Sequence, residues 1–227
     1  STWLAVHSHL DLLINNAGVM ACPLTRTDAG WEMQMATNHI GHFLLTVPLA
    51  PALTNSTPAR IVNLSSLGHQ MSPVDLDDPF FNNREYDRWS AYGQSKSANI
   101  LFTLGLEKRL GASGVHAYSV HPGGIETDLG RHLAESDVAA LMARAGVDDP
   151  DAFRAAFKTV AQGAATSVWA ATSTDLSGRG GLYLENCQVA EPADQPGLTA
   201  GYAPWAYDED AAEQLWALSE QWVDARL

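Results

Sequence analysis

Residues 91–99 read Ala-Tyr-Gly-Gln-Ser-Lys-Ser-Ala-Asn, which sets Tyr92 and Lys96 four residues apart. Four residues is about one helical turn, so the phenol and the ammonium project from the same helix face. A cation beside a phenol stabilises the phenolate and lowers its pKa, which makes tyrosine usable as an acid or base near neutral pH. Alone, the spacing equally describes a half-buried aromatic next to a solvated lysine. Upstream, the apolar run Arg60-Ile-Val-Asn-Leu ends in Ser65-Ser66. A serine hydroxyl at that strand end can bond the same substrate oxygen as Tyr92.

Working outward, residues 10–15 (Leu-Asp-Leu-Leu-Ile-Asn) form a short apolar run ending in Asn-Ala-Gly. The run reads as a buried parallel strand followed by a tight turn. Thr27-Asp28 is expected to cap a helix running to about Leu53, with Trp31, Met35, Ile40, Phe43, Leu44 and Val47 on its apolar face. Residues 72–89, rich in Pro, Asp and Asn, read as loop, and a helix is expected from about Ser90 to Leu110, closed by Gly111. Residues 115–120 give a third strand, ending in His121-Pro122-Gly123-Gly124. Mobile helix and loop are expected over 127–151. A helix follows from about Asp151 to Ala171, with Phe153, Phe157, Val160 and Val168 on its apolar side. A fourth strand is read at 181–184, a proline-containing loop (Pro192, Pro196, Pro204) at 187–207, and an amphipathic helix at 208–226. Strands alternating with helices imply a parallel sheet with right-handed crossovers and ligands at the strands' carboxyl ends.

The chain has 227 residues, 46% of them hydrophobic, enough for one domain with a substantial core over 1–227. Thirteen Lys and Arg against 26 acids give a formal charge of −13, which disfavours nucleic acid and anionic membrane as partners and reads as solubility. The two cysteines, Cys22 and Cys187, are far apart and read as reduced thiols of a cytoplasmic protein. No run reaches membrane-spanning length, and the N-terminus carries no signal-peptide pattern. His39 and His42, and His116 and His121, lack a third ligand at metal-site spacing, so no metal is expected.

The ordered motifs resemble the short-chain dehydrogenase/reductase family, whose fold is a Rossmann-type doubly wound parallel sheet. Asn15-Asn16-Ala17-Gly18 matches the turn after the family's fourth strand, Asn38 the asparagine of the next helix, and Ser66 the serine after the fifth strand. Tyr92 and Lys96 match the catalytic pair, and Pro122-Gly123 with Ile125 and Thr127 the turn that closes over the nicotinamide. The run His-Pro-Gly-Gly-Ile-Glu-Thr-Asp-Leu-Gly-Arg-His is similar to the retinol-dehydrogenase-like subgroup and its bacterial relatives.

The resemblance implies an NAD- or NADP-dependent oxidoreductase acting on a small alcohol, ketone or aldehyde. Tyr92 would move the proton, Ser66 hold the substrate oxygen, and Asn38 hold a water linking Lys96 to solvent. Lys96 would lower the Tyr92 pKa and bond the nicotinamide ribose. Cofactor contacts are implied at Asn15, Ala17, Gly18, Tyr92, Lys96, Pro122, Gly123, Ile125 and Thr127. Thr127 reads equally as a helix cap. Tyr202, Trp205 and Tyr207 fall where the family builds a substrate wall, and packing explains them almost as well. A homo-oligomer is also implied, through the helices that carry Asn38 and Tyr92.

One departure stands out. The family's opening strand, glycine-rich turn and helix, and its next two strands, have no counterpart before Leu10. The sequence therefore reads as strands four to seven of that fold, with residues 1–3 apparently inside the helix before the fourth strand. The strand at 10–15 is then expected to be an exposed edge. The alternative function is a cofactor-less remnant without turnover. A sugar-nucleotide epimerase or dehydratase, which shares the Tyr-x-x-x-Lys helix, needs a larger C-terminal domain than this chain supplies.

Overall fold

Ala59, Ile61, Val115 and Ala117 enter one hydrophobic cluster, while Val62, Leu64, Tyr118 and Val120 enter another, the two-residue alternation of strands. Both sets are buried, so these strands need a covering layer on each side. In the computed structural model, which describes residues 4–193 and 200–227, they receive one. Strands β1 (Leu12–Asn15), β2 (Ala59–Leu64), β3 (Val115–His121) and β4 (Leu182–Glu185) pair in parallel in that order. A short β5 (Gln188–Val189) closes the sheet antiparallel to β4. One face carries α2 (Gly41–Thr54), α3 (Arg88–Leu110) and α7 (Glu209–Val223). The other carries α6 (Val160–Thr172), whose Ala170 packs on Val62, Tyr118 and Val120. The fold is α/β and doubly wound.

β1 lies at the sheet edge among the described residues, with Leu12 36% and Ile14 43% exposed, so only part of this run is buried. The helix expected from Thr27-Asp28 starts later. The backbone at Thr27 pairs with Trp31, and the buried Glu32 caps the first turn, α1 (Met33–Met35), by accepting from the N–H groups of Gln34 and Met35. A π-helical segment, Ala36–Ile40, then leads into α2, and Leu44, expected on the apolar face, is 47% exposed.

α3 begins at Arg88 under an Asp87 cap. The single helix expected over 151–171 is two, α5 (Pro150–Ala155) and α6, after α4 (Glu135–Arg144). The face expected to be buried is open: Phe157, Val160 and Val168 are exposed, and Gly163, Thr166 and Ala170 are the buried residues of α6. The β4–β5 hairpin turns through Asn186 and Cys187, both with positive φ as a two-residue turn of this hand demands. Residues 1–3 and Pro196 lie outside the described residues.

α7 crosses the helices carrying Asn38 and Tyr92. Trp216 packs on Phe43 and Phe102, and His39 Nε2 lies 2.8 Å from the Ser219 hydroxyl. No helix among the described residues is long and apolar enough to cross a membrane.

Candidate active site

α3 is buried along most of its length, and glycine lets its neighbours come close. A β-carbon at Gly93 would lie 2.8 Å from the Gly68 carbonyl oxygen, and one at Gly68 would lie 2.6 Å from Cε1 of Tyr92. The 3₁₀ turn Leu67–Met71 therefore lies flat against the Tyr92 ring. The end of β2 is stitched to the same face of α3. The Leu64 carbonyl accepts from Lys96 Nζ at 3.0 Å and from the Asn99 amide at 2.9 Å. The Ser65 hydroxyl donates to the Lys96 carbonyl at 2.9 Å.

That leaves the partly exposed Ser66 on the side of the turn nearest Tyr92. The serine hydroxyl accepts from the Gly68 N–H at 3.0 Å and lies close enough to the Tyr92 phenol to lower its pKa. Lys96 Nζ sits 5.7 Å from the centroid of the Tyr92 ring. Three of the expected residues thus share one small volume. The electrostatics differ from expectation. Burial pushes Tyr92 up to about 12, with the Ser66 hydrogen bond working in the opposite direction. Burial also pulls Lys96 down to about 8. Taking both groups out of water penalises phenolate and ammonium alike, and this exceeds the mutual stabilisation that their spacing implies.

Asn38 is fully buried in the π-helical segment, a kind of insertion frequent at functional sites. Its carboxamide accepts from the Val19 N–H at 2.8 Å and donates to the Val19 carbonyl at 3.0 Å and to the Ser95 hydroxyl at 2.8 Å. Ser95 in turn donates to the Tyr92 carbonyl at 2.8 Å. This amide fixes the turn after β1 to the Tyr92 helix. Gly18 of that turn is beside the centre, since a β-carbon there would meet Asn38 Oδ1 at 3.1 Å and Lys96 Nζ at 3.7 Å. Ala17 is exposed beside it. Asn15 lies below, donating to Asn63 at 2.8 Å and Thr46 at 3.0 Å in a buried polar ladder.

Across the cleft, Gly123 has φ +101°, and the Lys158 stem lies across it, 2.7 Å from where a β-carbon would be. Lys158 Nζ donates to the Pro122 carbonyl at 3.2 Å and to Asn186 Oδ1 at 2.7 Å, and its N–H donates to the Gly124 carbonyl at 2.8 Å. Ile125 forms a bridge with Lys158. Thr127 is exposed and caps a short turn by accepting from the Leu129 N–H at 3.4 Å, the cap alternative. Tyr202, Trp205 and Tyr207 pack with Ile100 and Tyr183 in a small core behind the site.

Two contributors escaped the sequence reading. Lys158 was placed mid-helix, although Thr159 and Gln162 form the capping box that marks a helix start there. His69, buried in the turn after Ser66, gave no sequence signal at all.

The sequence profile of the short chain dehydrogenase family matches residues 2–138. A short-chain dehydrogenase/reductase of Penicillium roqueforti is 43% identical over 96% of this chain and 64% of its own length. Human retinol dehydrogenase 13 is 40% identical over 94% of this chain and 60% of its own. This chain therefore spans a little under two thirds of both relatives. A crystal structure of an uncharacterized protein from Mycobacterium paratuberculosis superposes with a TM-score of 0.63 at 31% identity, covering 99% of this chain and 71% of that one. With Ser66, Tyr92 and Lys96 gathered at the strands' carboxyl ends, the chain belongs to the short chain dehydrogenase family.

Proposed function

We propose that this chain carries the catalytic centre of an NAD(P)-dependent oxidoreductase of the retinol-dehydrogenase-like branch, interconverting an alcohol and a ketone or aldehyde. The observation that carries this reading is the convergence of the Ser66 hydroxyl on the Tyr92 phenol with Lys96 Nζ alongside. The 40% identity to human retinol dehydrogenase 13 supports the branch.

The residues present fit a nicotinamide cofactor. Lys96 has three N–H donors and, among the described residues, one acceptor, the Leu64 carbonyl, which leaves donors for ribose hydroxyls. Gly18 keeps a side chain out of the space beside it. Lys96, the turn at Gly18 and the Pro122–Gly123 turn would hold the cofactor. When bound, it supplies or accepts the hydride at its nicotinamide ring.

The protein's own work is positioning and proton transfer. Ser66 donates to the substrate oxygen, a role helped by the Gly68 N–H that polarises its hydroxyl. Tyr92 protonates the developing alkoxide in reduction and takes the alcohol proton in oxidation. Lys96 stabilises the phenolate that Tyr92 becomes or starts from. Tyr92→Phe tests this: turnover falls by roughly a hundredfold or more while the circular dichroism spectrum and melting temperature hold. A Phe variant with wild-type kcat refutes the acid/base assignment.

A further inference from the structure

His69 is fully buried one turn after Ser66, and both its ring nitrogens are engaged. Nδ1–H donates to the Ser66 carbonyl at 2.7 Å, and Nε2 accepts from the Ala203 N–H at 3.0 Å. Only one neutral tautomer satisfies both partners, because a carbonyl needs a donor and an N–H needs an acceptor. The ring is held against Tyr183 at a centroid distance of 5.0 Å.

Further bonds run the same way. The His69 carbonyl accepts from the Trp205 indole at 3.2 Å, and the Gln70 amide donates to the Gly201 carbonyl at 2.9 Å. Glu185, buried at the end of β4, accepts from the Gly201 N–H at 2.8 Å. The serine turn and residues 201–205, far apart in sequence, are thus joined as one unit, with the imidazole as the strut at its centre.

We propose that His69 is a positioning residue for the reaction, fixing Ser66 against Tyr92 by bridging the serine's backbone to Ala203. The proposal rests on the assignment of Ser66 as the residue that holds the substrate oxygen. A side chain that only filled space would not need two opposed hydrogen bonds at a fixed ring angle. Loss of the Nδ1–H bond leaves the Ser66 carbonyl held by the His69 backbone N–H alone, at 3.0 Å, and loosens the turn that aims the hydroxyl. Loss of the Nε2 bond frees residues 201–205 first.

Two variants separate the ends of the strut. His69→Asn keeps a donor at the Nδ1 position and loses the acceptor, whereas His69→Gln keeps an acceptor near Nε2 and loses the donor to Ser66. Ala203→Pro deletes the N–H from the other side, at a residue whose φ of −71° already suits proline. The readouts are reduction of benzaldehyde with NADPH or NADH, per folded molecule, and amide hydrogen exchange of the segments 67–71 and 200–205.

The expected result is a fall in kcat of about tenfold or more for His69→Gln, with KM changed far less. His69→Asn and Ala203→Pro should instead speed exchange at 200–205 and retain most of kcat. Equal kcat in all three variants, or equal losses that track only melting temperature, overturns the proposal. Tyr92→Phe run alongside keeps the two claims apart: if it retains turnover, the acid/base reading fails, while the exchange data still decide whether His69 is the strut.

Discussion

Tyr92 and Lys96 lie one helical turn apart, as their spacing implies, yet burial sets the protonation state of both. With Tyr92 pushed up to about 12, the resting group is a neutral phenol, ready to give a proton rather than take one. Alcohol oxidation needs the phenolate, so its kcat/KM should climb with pH through neutrality to at least about pH 9, while carbonyl reduction should not climb. Rate profiles in both directions check this, and an oxidation rate that peaks in mild acid and falls toward alkali would contradict it. Residue types at this site were legible in the sequence because the chemistry demands a phenol, an amine and a hydroxyl. Their partners were not. Ser65 and Ser66 differ in role only because the β2 end meets α3 so that one hydroxyl reaches the Lys96 carbonyl and the other reaches Tyr92. The Leu64 carbonyl that holds Lys96 is backbone, and no side-chain pattern announces it.

Periodicity located helices well where one face meets the sheet and poorly where a helix serves a turn. α3 matched within two residues because Asp87 caps it and its apolar residues run continuously. The break between α5 and α6 was hidden by Phe153, Phe157, Val160 and Val168, apolar residues at helical spacing of which the last three are exposed. α7 shows the opposite case, a helix whose energetics lie in a few contacts. Its Trp216 is 3% exposed, packs on Phe43 at 4.9 Å, and lies under the Arg109 guanidinium at 4.0 Å. Arg109 is itself forked onto Glu213 at 2.9 and 3.0 Å. Gly105 makes room for the indole, since a β-carbon there would lie 2.7 Å from it. Trp216→Ala should therefore cost about 3–5 kcal/mol, combining lost transfer energy with a cavity between α2 and α3. The urea midpoint reads this directly, and a loss below about 1 kcal/mol would mean that α7 is not docked on that face.

The whole molecule confronts acid with two opposing tendencies. Its formal charge of −13 means that protonating carboxylates relieves self-repulsion, which favours the folded state as pH falls. That relief is spread over the surface and is screened at ordinary salt. Against it stand four histidines held as neutral rings, His39, His42, His69 and His121. Burial holds His39 at about 3, with His42 adding to the shift, and holds His42 at about 4, with Lys96 adding. Burial holds His69 at about 4 against the opposing Ser66 hydrogen bond, and holds His121 at about 3, with Lys158 and His69 adding to the shift. In the unfolded chain each returns to about 6.5. Below that pH the unfolded state binds protons that the folded state refuses, so the stabilisation is complete above about 6.5 and drains away toward 4. Four such groups together approach about 5 kcal/mol per pH unit across the lower part of that window, against a total stability of about 5–15 kcal/mol for a typical domain. The histidine contribution is the larger, and unfolding free energy should drop steeply between pH 6.5 and 5. Urea titrations at pH 7, 6 and 5 in ordinary salt measure it. A midpoint that stays level or rises toward pH 5 would show that these rings are not held neutral, and with that the tautomer on which the His69 strut depends would lose its physical basis.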